Sequence, residues 1–249
     1  MHRVRVIPCL LLRGRGLVKT RQFKDAVYIG DPVNSVRIFS EKEVDELIVL
    51  DIDASRRGQE PNYQLISDIA GECFMPMAYG GGIRTLNQVR RIVRSGVEKV
   101  VINSAAVQSM GVIAESAAVF GSQAIVAGVD VKRDHTGEYR VVSRSATVEA
   151  KWDLYEYVEQ LVAAGAGEIF LNCVDRDGMM SGYDLGLIRS VASRVSVPVV
   201  ASGGAGTVEH LAEAVRDAGA SAVSAGSMFV FYGRHRAVLI NYPRESLFR

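Results

Sequence analysis

The chain contains 249 residues, of which 48% are hydrophobic and 23% are charged, a composition typical of a globular protein with a well-buried core. The formal net charge of +1 gives no reason to expect a nucleic-acid partner or binding to an anionic membrane surface. No apolar run reaches the length of about 18 residues that a membrane-spanning helix needs, so no membrane span is expected.

The N-terminal segment is predicted to be a buried strand rather than a signal peptide. Its apolar run, 6–12, is short and is flanked by Arg5 and Arg13, whereas a secretory signal requires a longer apolar region and a small-residue cleavage site. The three cysteines show no CxxC spacing, which favours free thiols over disulfides or a metal site. We therefore expect a cytoplasmic protein, and neither a metal nor another cofactor is predicted.

Apolar runs alternate with amphipathic stretches along the chain. The apolar runs are nearly continuous in Val, Ile, Leu and Ala, as expected for parallel strands that are buried on both faces. They predict eight strands, at 5–12, 47–51, 74–78, 99–102, 124–131, 168–172, 198–201 and 222–225. Helices are predicted between them at 32–42, 63–71, 86–95, 112–120, 152–164, 185–193 and 208–217. No linker rich in Pro, Gly or Ser divides the chain, so residues 1–249 are predicted to form a single domain.

Segments of the first half of the chain recur in the second half at a fixed offset. The segment 77–106 is answered 122 positions later by 199–228, and each copy has an apolar run, a glycine turn, an amphipathic stretch and a second apolar run. ELIVLDIDAS from Glu46 matches EIFLNCVDRD from Glu168 at the same offset. Such a duplication predicts an α/β protein with the (β/α)8 TIM barrel fold, built from two similar half-barrels.

The glycine turns of the two copies are candidate phosphate sites, because glycine lets the backbone approach an anion closely. The first phosphate cradle comprises Gly80–Gly82 with Asn103 and Ser104. The second phosphate cradle comprises Gly203 and Gly204 with Gly226 and Ser227. The alternative is that these glycines serve only tight turns.

Two long polar segments, 13–31 and 133–152, follow the first and fifth predicted strands and are expected to be loops. In a (β/α)8 barrel the segments after the strands carry the active site. The first segment is basic and includes Lys19. It is interpreted either as a solvated loop or as a mobile lid that neutralises phosphate.

Carboxylates at the carboxyl ends of the predicted strands are candidate general acids and bases. Asp130 closes the apolar run IVAGVD beside Lys132, and we expect it at the mouth of the barrel. Asp175 and Asp177 flank Arg176, so an ion pair or a side-chain turn is the alternative for one of them. The remaining candidates are Asp51 and Asp53.

A second charged cluster is predicted at the opposite face. Arg5, Glu46, Lys99 and Glu168 stand at the beginnings of four predicted strands. Because this face of the barrel usually serves stability, the residues alone favour ordinary salt bridges over a functional ring.

Several ordered segments show a resemblance to a known family over the whole chain. They are IPCL at Ile7, GDPV at Gly30, ELIVLDIDAS at Glu46, GGGIR at Gly80, NSAAV at Asn103, FGSQ at Phe120, DRDGMMSGYD at Asp175 and ASGGAG at Ala201. The chain resembles HisF, the cyclase subunit of imidazole glycerol phosphate synthase. The resemblance implies a HisH-type glutaminase partner, whose ammonia passes through the charged ring and along the barrel to a doubly phosphorylated ribotide.

The resemblance also assigns roles to particular residues. Arg5, Glu46, Lys99 and Glu168 match the family's ammonia gate, and Asp130 matches one of its two catalytic aspartates. The matching phosphate positions are Gly82, Asn103, Ser104, Asp177, Gly178, Gly204 and Ser227. Further substrate-binding positions are expected at Lys19, Asp51, Asn172, Ser202 and Gly226.

The chain departs from the family pattern at informative places. Leu11 stands where the family has its second catalytic aspartate, and a leucine neither donates nor accepts a proton. Asn172 replaces a threonine, and VVSRSATVEAKWD replaces a glycine-containing, substrate-contacting segment. The tail also differs, since Pro243 would break the helix with which the family usually continues.

These departures resemble HisF-like paralogues that are found with surface-polysaccharide genes. Those proteins work with a HisH-like glutaminase and a separate sugar amidotransferase to turn an acetamido sugar into an acetamidino sugar, a step of lipopolysaccharide biosynthesis. One alternative is a cyclase of histidine biosynthesis, in which another carboxylate such as Asp51 covers for Leu11. A second alternative is a non-catalytic scaffold that only conducts ammonia.

Overall fold

The computed structural model describes residues 4–243. In this part of the chain eight parallel strands form a closed barrel. They are β1 (Arg5–Arg13), β2 (Leu47–Asp51), β3 (Met77–Gly80), β4 (Lys99–Ile102), β5 (Ile125–Arg133), β6 (Glu168–Cys173), β7 (Val199–Ser202) and β8 (Ala222–Ala225). Closure follows from the pairing of β1 with both β2 and β8, so the barrel has no free edge. The predicted (β/α)8 fold is confirmed.

Helices surround the barrel. They are α1 (Pro32–Glu41), α2 (Ala54–Arg57), α3 (Tyr63–Gly71), α4 (Leu86–Arg94), α5 (Ser104–Gln108), α6 (Gly111–Phe120), α7 (Leu154–Ala163), α8 (Leu185–Ala192), α9 (Val208–Arg216) and α10 (Ser227–Val230). Their starts are set by capping side chains. Thr85 and Gln88 form a capping box at α4, and Asp153 accepts two backbone N–H bonds at α7. Among the described residues, no helix is long and apolar enough to cross a membrane.

The third strand lies further along the chain than predicted. The sequence predicts a strand at 74–78, but β3 spans Met77–Gly80. Phe74 is 87% exposed, and the carbonyl of Pro76 already accepts a hydrogen bond from the N–H of Leu47 at the start of β2. The apolar residues before Pro76 belong to the connection from α3, so hydrophobicity alone misplaced the strand.

The two long polar segments are β-hairpins, not the loops that the sequence predicts. Gly16–Arg21 runs antiparallel to the end of β1 and pairs with Lys24–Gly30. Tyr139–Ser143 runs antiparallel to the end of β5 and pairs with Val148–Glu149. Strands β1 and β5 therefore extend beyond the barrel rim, and each carries its hairpin over the mouth.

The barrel interior is layered from charged to apolar to polar. Side chains alternate between the two faces of a strand, so β6 directs Glu168, Phe170 and Asn172 inward at three successive levels. The middle level belongs to a separate inner cluster of buried apolar residues, which includes Ile7 and Val200. The charged face and the polar mouth are thus separated by an apolar interior.

The tail returns along the outside of the barrel. Phe231–Tyr232 and Ala237–Val238 form a short hairpin, and the guanidinium of Arg236 donates to the carbonyl of Gly178 at 3.0 Å. Further on, the hydroxyl of Tyr242 donates to the carbonyl of Val6 at 3.0 Å. The tail therefore contacts both the mouth and the opposite face.

Candidate functional site

One cavity opens at the carboxyl ends of the barrel strands. Two of the candidate acids, Asp53 and Asp175, do not line it. Its wall contains thirteen residues that the sequence predicts for the catalytic and substrate-binding site, together with the substituted Leu11. They are Leu11, Lys19, Asp51, Gly82, Asn103, Ser104, Asp130, Asn172, Asp177, Gly178, Ser202, Gly204, Gly226 and Ser227. The strands and the segments that follow them bring these residues together from both halves of the chain.

Asp130 is held between two asparagines on the neighbouring strands. Asn103 Nδ2 donates to one carboxylate oxygen at 2.8 Å, and Asn172 Nδ2 donates to the other at 3.3 Å. Burial raises the pKa of Asp130 to about 7, although the two amide hydrogen bonds oppose the rise. Asp130 can therefore hold or release a proton near neutral pH, as a general acid or base must.

The two asparagines keep an unused acceptor each. In the described part of the chain, Asn103 Oδ1 and Asn172 Oδ1 are buried and have no hydrogen-bond partner. A buried unpaired acceptor is costly. A bound group that donates N–H bonds next to Asp130 would remove this cost.

Leu11 contributes an apolar wall to the same cavity. It packs with Leu50 against the inner apolar cluster of the barrel. Asp51 also lines the cavity, but its carboxylate is already hydrogen-bonded. Its Oδ1 accepts the N–H groups of Asp53 and Ala54 at 3.0 and 2.9 Å. Asp51 therefore fixes the turn at the start of α2.

The second phosphate cradle includes the buried amino group of Lys19. Lys19, on the first hairpin, is only 5% exposed and donates to the carbonyl of Cys9. A Cβ on Gly226 would lie 2.1 Å from Lys19 Nζ, so glycine leaves room for the lysine. Burial lowers the pKa of Lys19, while Cys9 and Asp177 oppose the effect. Lys19 is thus a buried basic group in the cavity wall rather than part of a solvated loop.

The first phosphate cradle is closed by tight backbone contacts. Gly81 and Gly82 have φ of +120° and +72°, values that side chains rarely adopt. A Cβ on Gly81 would lie 2.5 Å from the carbonyl oxygen of Asp51. The N–H of Gly82 donates to Ser55 Oγ at 3.2 Å. The glycines therefore serve a tight turn, which is the role that the sequence analysis offers as the alternative to phosphate binding.

The second hairpin lies in the segment 133–152, which the sequence places at the active-site face, but the sequence singles out no residue of that segment for the cavity wall. Arg144 and Ser145 line the cavity. The N–H of Arg144 donates to Ser104 Oγ at 3.2 Å, and Ser145 Oγ donates to the carbonyl of Ile52 at 2.7 Å. The signal that could have revealed them is the departure of this segment from the glycine-containing family pattern.

At the opposite face, the four charged residues form a closed ring. Lys99 Nζ lies 2.9 Å from a carboxylate oxygen of Glu46 and 3.2 Å from one of Glu168. Arg5 also binds both carboxylates. The carboxylate side chains are only 3% and 8% exposed. Each acid therefore has two cationic partners, and the ring closes the amino-terminal end of the barrel.

In residues 4–243, no group of three His, Cys, Asp or Glu side chains is arranged to hold a metal ion. The three cysteines are free thiols; Cys9 and Cys173 are buried and Cys73 is half-buried.

Comparison with known proteins identifies similar chains. The family model described as "Histidine biosynthesis protein" matches residues 5–236. The chain is 54% identical to the "Putative imidazole glycerol phosphate synthase subunit hisF2" of Pseudomonas aeruginosa, over 98% of this chain and 97% of the relative. Identity to a subunit of the same description, hisF3, in Vibrio vulnificus is 48%, over 99% and 95% of the two chains. For the HisF relative in Leptospira borgpetersenii it is 47%, over the full length of both.

Proposed function

This chain belongs to the HisF family of histidine biosynthesis proteins, and we propose that within this family it receives ammonia from a HisH-type glutaminase and passes it through the barrel for the amidination of an acetamido sugar. The observation that carries the proposal is the pairing of a complete charged ring at one end with Leu11 at the other. The groups that would admit ammonia are present, and one of the two acids for ring closure is replaced.

The ring is suited to a gate at the glutaminase interface. Lys99 is 20% exposed while its partner Glu46 is almost fully buried, so the cation is the member that a docked protein can reach. Movement of Lys99 would leave Glu46 paired with Arg5. The apolar interior beyond the ring disfavours ions and leaves neutral ammonia as the species that crosses it.

The mouth is suited to an acceptor that carries nitrogen. The unpaired oxygens of Asn103 and Asn172 flank Asp130, and they match the N–H groups of ammonia or of an acetamido substituent. Leu11 and Leu50 provide an apolar surface in the same cavity. The third protein of the proposed system, a sugar amidotransferase, would complete the chemistry at this mouth.

The second candidate function is the cyclase reaction of histidine biosynthesis. It is favoured by the two glycine cradles, which stand on opposite sides of one cavity and suit a substrate with a phosphate at each end. Loss of a general acid or base typically costs about 10²–10⁴-fold in rate, so a cyclase with Leu11 would need Asp51 to act in its place.

Ring closure by the purified chain separates the two functions. The substrate is the formimino ribotide, the nitrogen source is an ammonium salt at mildly alkaline pH, and Leu11→Asp is measured beside the parent. We expect no turnover in the parent and partial turnover in Leu11→Asp. Turnover in the parent at the rate of an ordinary cyclase would contradict the proposal and establish the histidine-pathway function.

A further inference from the structure

The two hairpins at the mouth occupy equivalent positions in the two half-barrels. The first follows β1, which pairs with β8, and the second follows β5, which pairs with β4. Lys19 on the first hairpin reaches Gly226, which follows β8. Arg144 at the turn of the second hairpin donates its N–H to Ser104, which follows β4. The first hairpin thus brings Lys19 to the cradle after β8, and the second hairpin brings Arg144 to the cradle after β4.

Arg144 has a side chain without an assigned role. It is exposed and lines the cavity, and its guanidinium makes no hydrogen bond or ion pair with any residue in 4–243. Three other arginines near the first cradle are engaged. Arg13 and Arg57 both pair with Asp53, at 3.4 and 3.0 Å, and Arg84 donates to the carbonyl of Gly58 at 2.9 Å.

The turn that carries Arg144 is held in place from both sides. Arg144, Ser145 and Ala146 have φ of +50°, +56° and +58°, a left-handed conformation that residues other than glycine rarely adopt. Thr147 Oγ1 donates to the carbonyl of Arg144 at 2.7 Å, and Ser145 Oγ is bound to Ile52 across the mouth. The backbone at Arg144 is therefore fixed beside the first cradle while the guanidinium stays free.

We propose that Arg144 binds the phosphate of a phosphorylated ligand at the first cradle, as the counterpart of Lys19 at the second. An arginine can donate two parallel hydrogen bonds to a phosphate, and Gly81–Gly82 and Ser104 leave the opposite side of the anion to the backbone and a hydroxyl. This assignment goes beyond the proposed function, because it requires only a small molecule that carries a phosphate group and depends on neither the ammonia route nor the reaction at the acceptor. It makes the ligand dianionic at this end, beside the turn of the second hairpin.

Titration with inorganic phosphate tests the assignment at each cradle separately. Backbone amide shifts of Gly82 and Ser104 report on the first cradle, and those of Gly204 and Ser227 report on the second. The variants are Arg144→Ala, Arg144→Lys and the control Arg90→Ala, which removes the same charge from an exposed position on α4 outside the cavity. Acetate is titrated in parallel as a carboxylate.

The expected result is specific to one cradle. Arg144→Ala should weaken phosphate binding at the first cradle about tenfold or more, with little change at the second. Arg144→Lys should fall between, and Arg90→Ala should match the parent. An Arg144→Ala titration equal to that of Arg90→Ala, absence of shifts at the first cradle of the parent, or equal binding of acetate would each overturn the assignment. Because neither glutaminase nor ammonia takes part, failure here is distinct from failure of the proposed ammonia transfer.

Discussion

Replacement of Lys99 by Ala tests the charged ring as a gate. The substitution leaves two almost buried carboxylates, Glu46 and Glu168, with Arg5 as their remaining partner in the ring. Removing one member of a buried ion pair costs about 3–5 kcal/mol. Lys99 is 20% exposed and Arg5 still binds both acids, so we expect the lower end, about 3 kcal/mol.

Urea unfolding of the isolated chain measures this cost. The matched control is Arg37→Ala, which breaks the surface ion pair with Glu72 and should change the free energy of unfolding little. A Lys99→Ala variant as stable as the control would show that the ring is solvated and loosely paired, contrary to the structure.

The functional effect is measured in the complex with the glutaminase. Product formation is followed once with glutamine and once with a saturating ammonium salt as the nitrogen source. Lys99→Ala should uncouple glutamine hydrolysis from product formation while sparing the ammonium-dependent reaction. Equal loss of both activities would refute the gate, because ammonium from solution does not need the ring.

Two further substitutions test the mouth. Asp130→Asn should lower any proton-transfer step about 10²–10⁴-fold. Burial raises the pKa of Asp130 from 3.8 to about 7, so the native state keeps a proton that the unfolded state loses, and the parent should lose stability relative to Asp130→Asn as pH rises from about 4 to about 7. Urea midpoints across that range check this, and a constant difference would contradict it. Gly178→Ala places a Cβ 2.0 Å from the carbonyl oxygen of Thr20, whereas Gly137→Ala, at a similarly positive φ, meets nothing within 4 Å. We expect about 1 kcal/mol for Gly137→Ala and about 1–3 kcal/mol more for Gly178→Ala; equal thermal unfolding of the two would show that the contact at Thr20 relaxes.

The strands and helices were largely predictable because their physical signals are local. Seven of the eight barrel strands overlap their predicted ranges almost completely, since buried parallel strands are continuous apolar runs. β3 was misplaced because an apolar run also covers the chain before Pro76. Nothing in periodicity separates a strand from a partly buried connection of the same composition.

The hairpins escaped prediction for a different reason. Hairpin turns with positive φ are usually marked by Gly, Asn or Asp. Here Gln22 and Phe23 turn the first hairpin, and Arg144, Ser145 and Ala146 turn the second. Their positive φ is held by strand pairing and by contacts with distant segments. No local sequence pattern therefore predicts these turns or the position of Arg144 in the cavity.

The measurement that tests the central claim most directly is the fate of the glutamine amide nitrogen. The chain, its HisH-type glutaminase and the sugar-modifying enzyme are supplied with amide-labelled [15N]glutamine, an acetamido sugar and an excess of unlabelled ammonium. Passage through the barrel predicts that the acetamidino product carries predominantly 15N, because ammonia from glutamine does not mix with the solution. A product whose label equals that of the bulk ammonium would contradict the account.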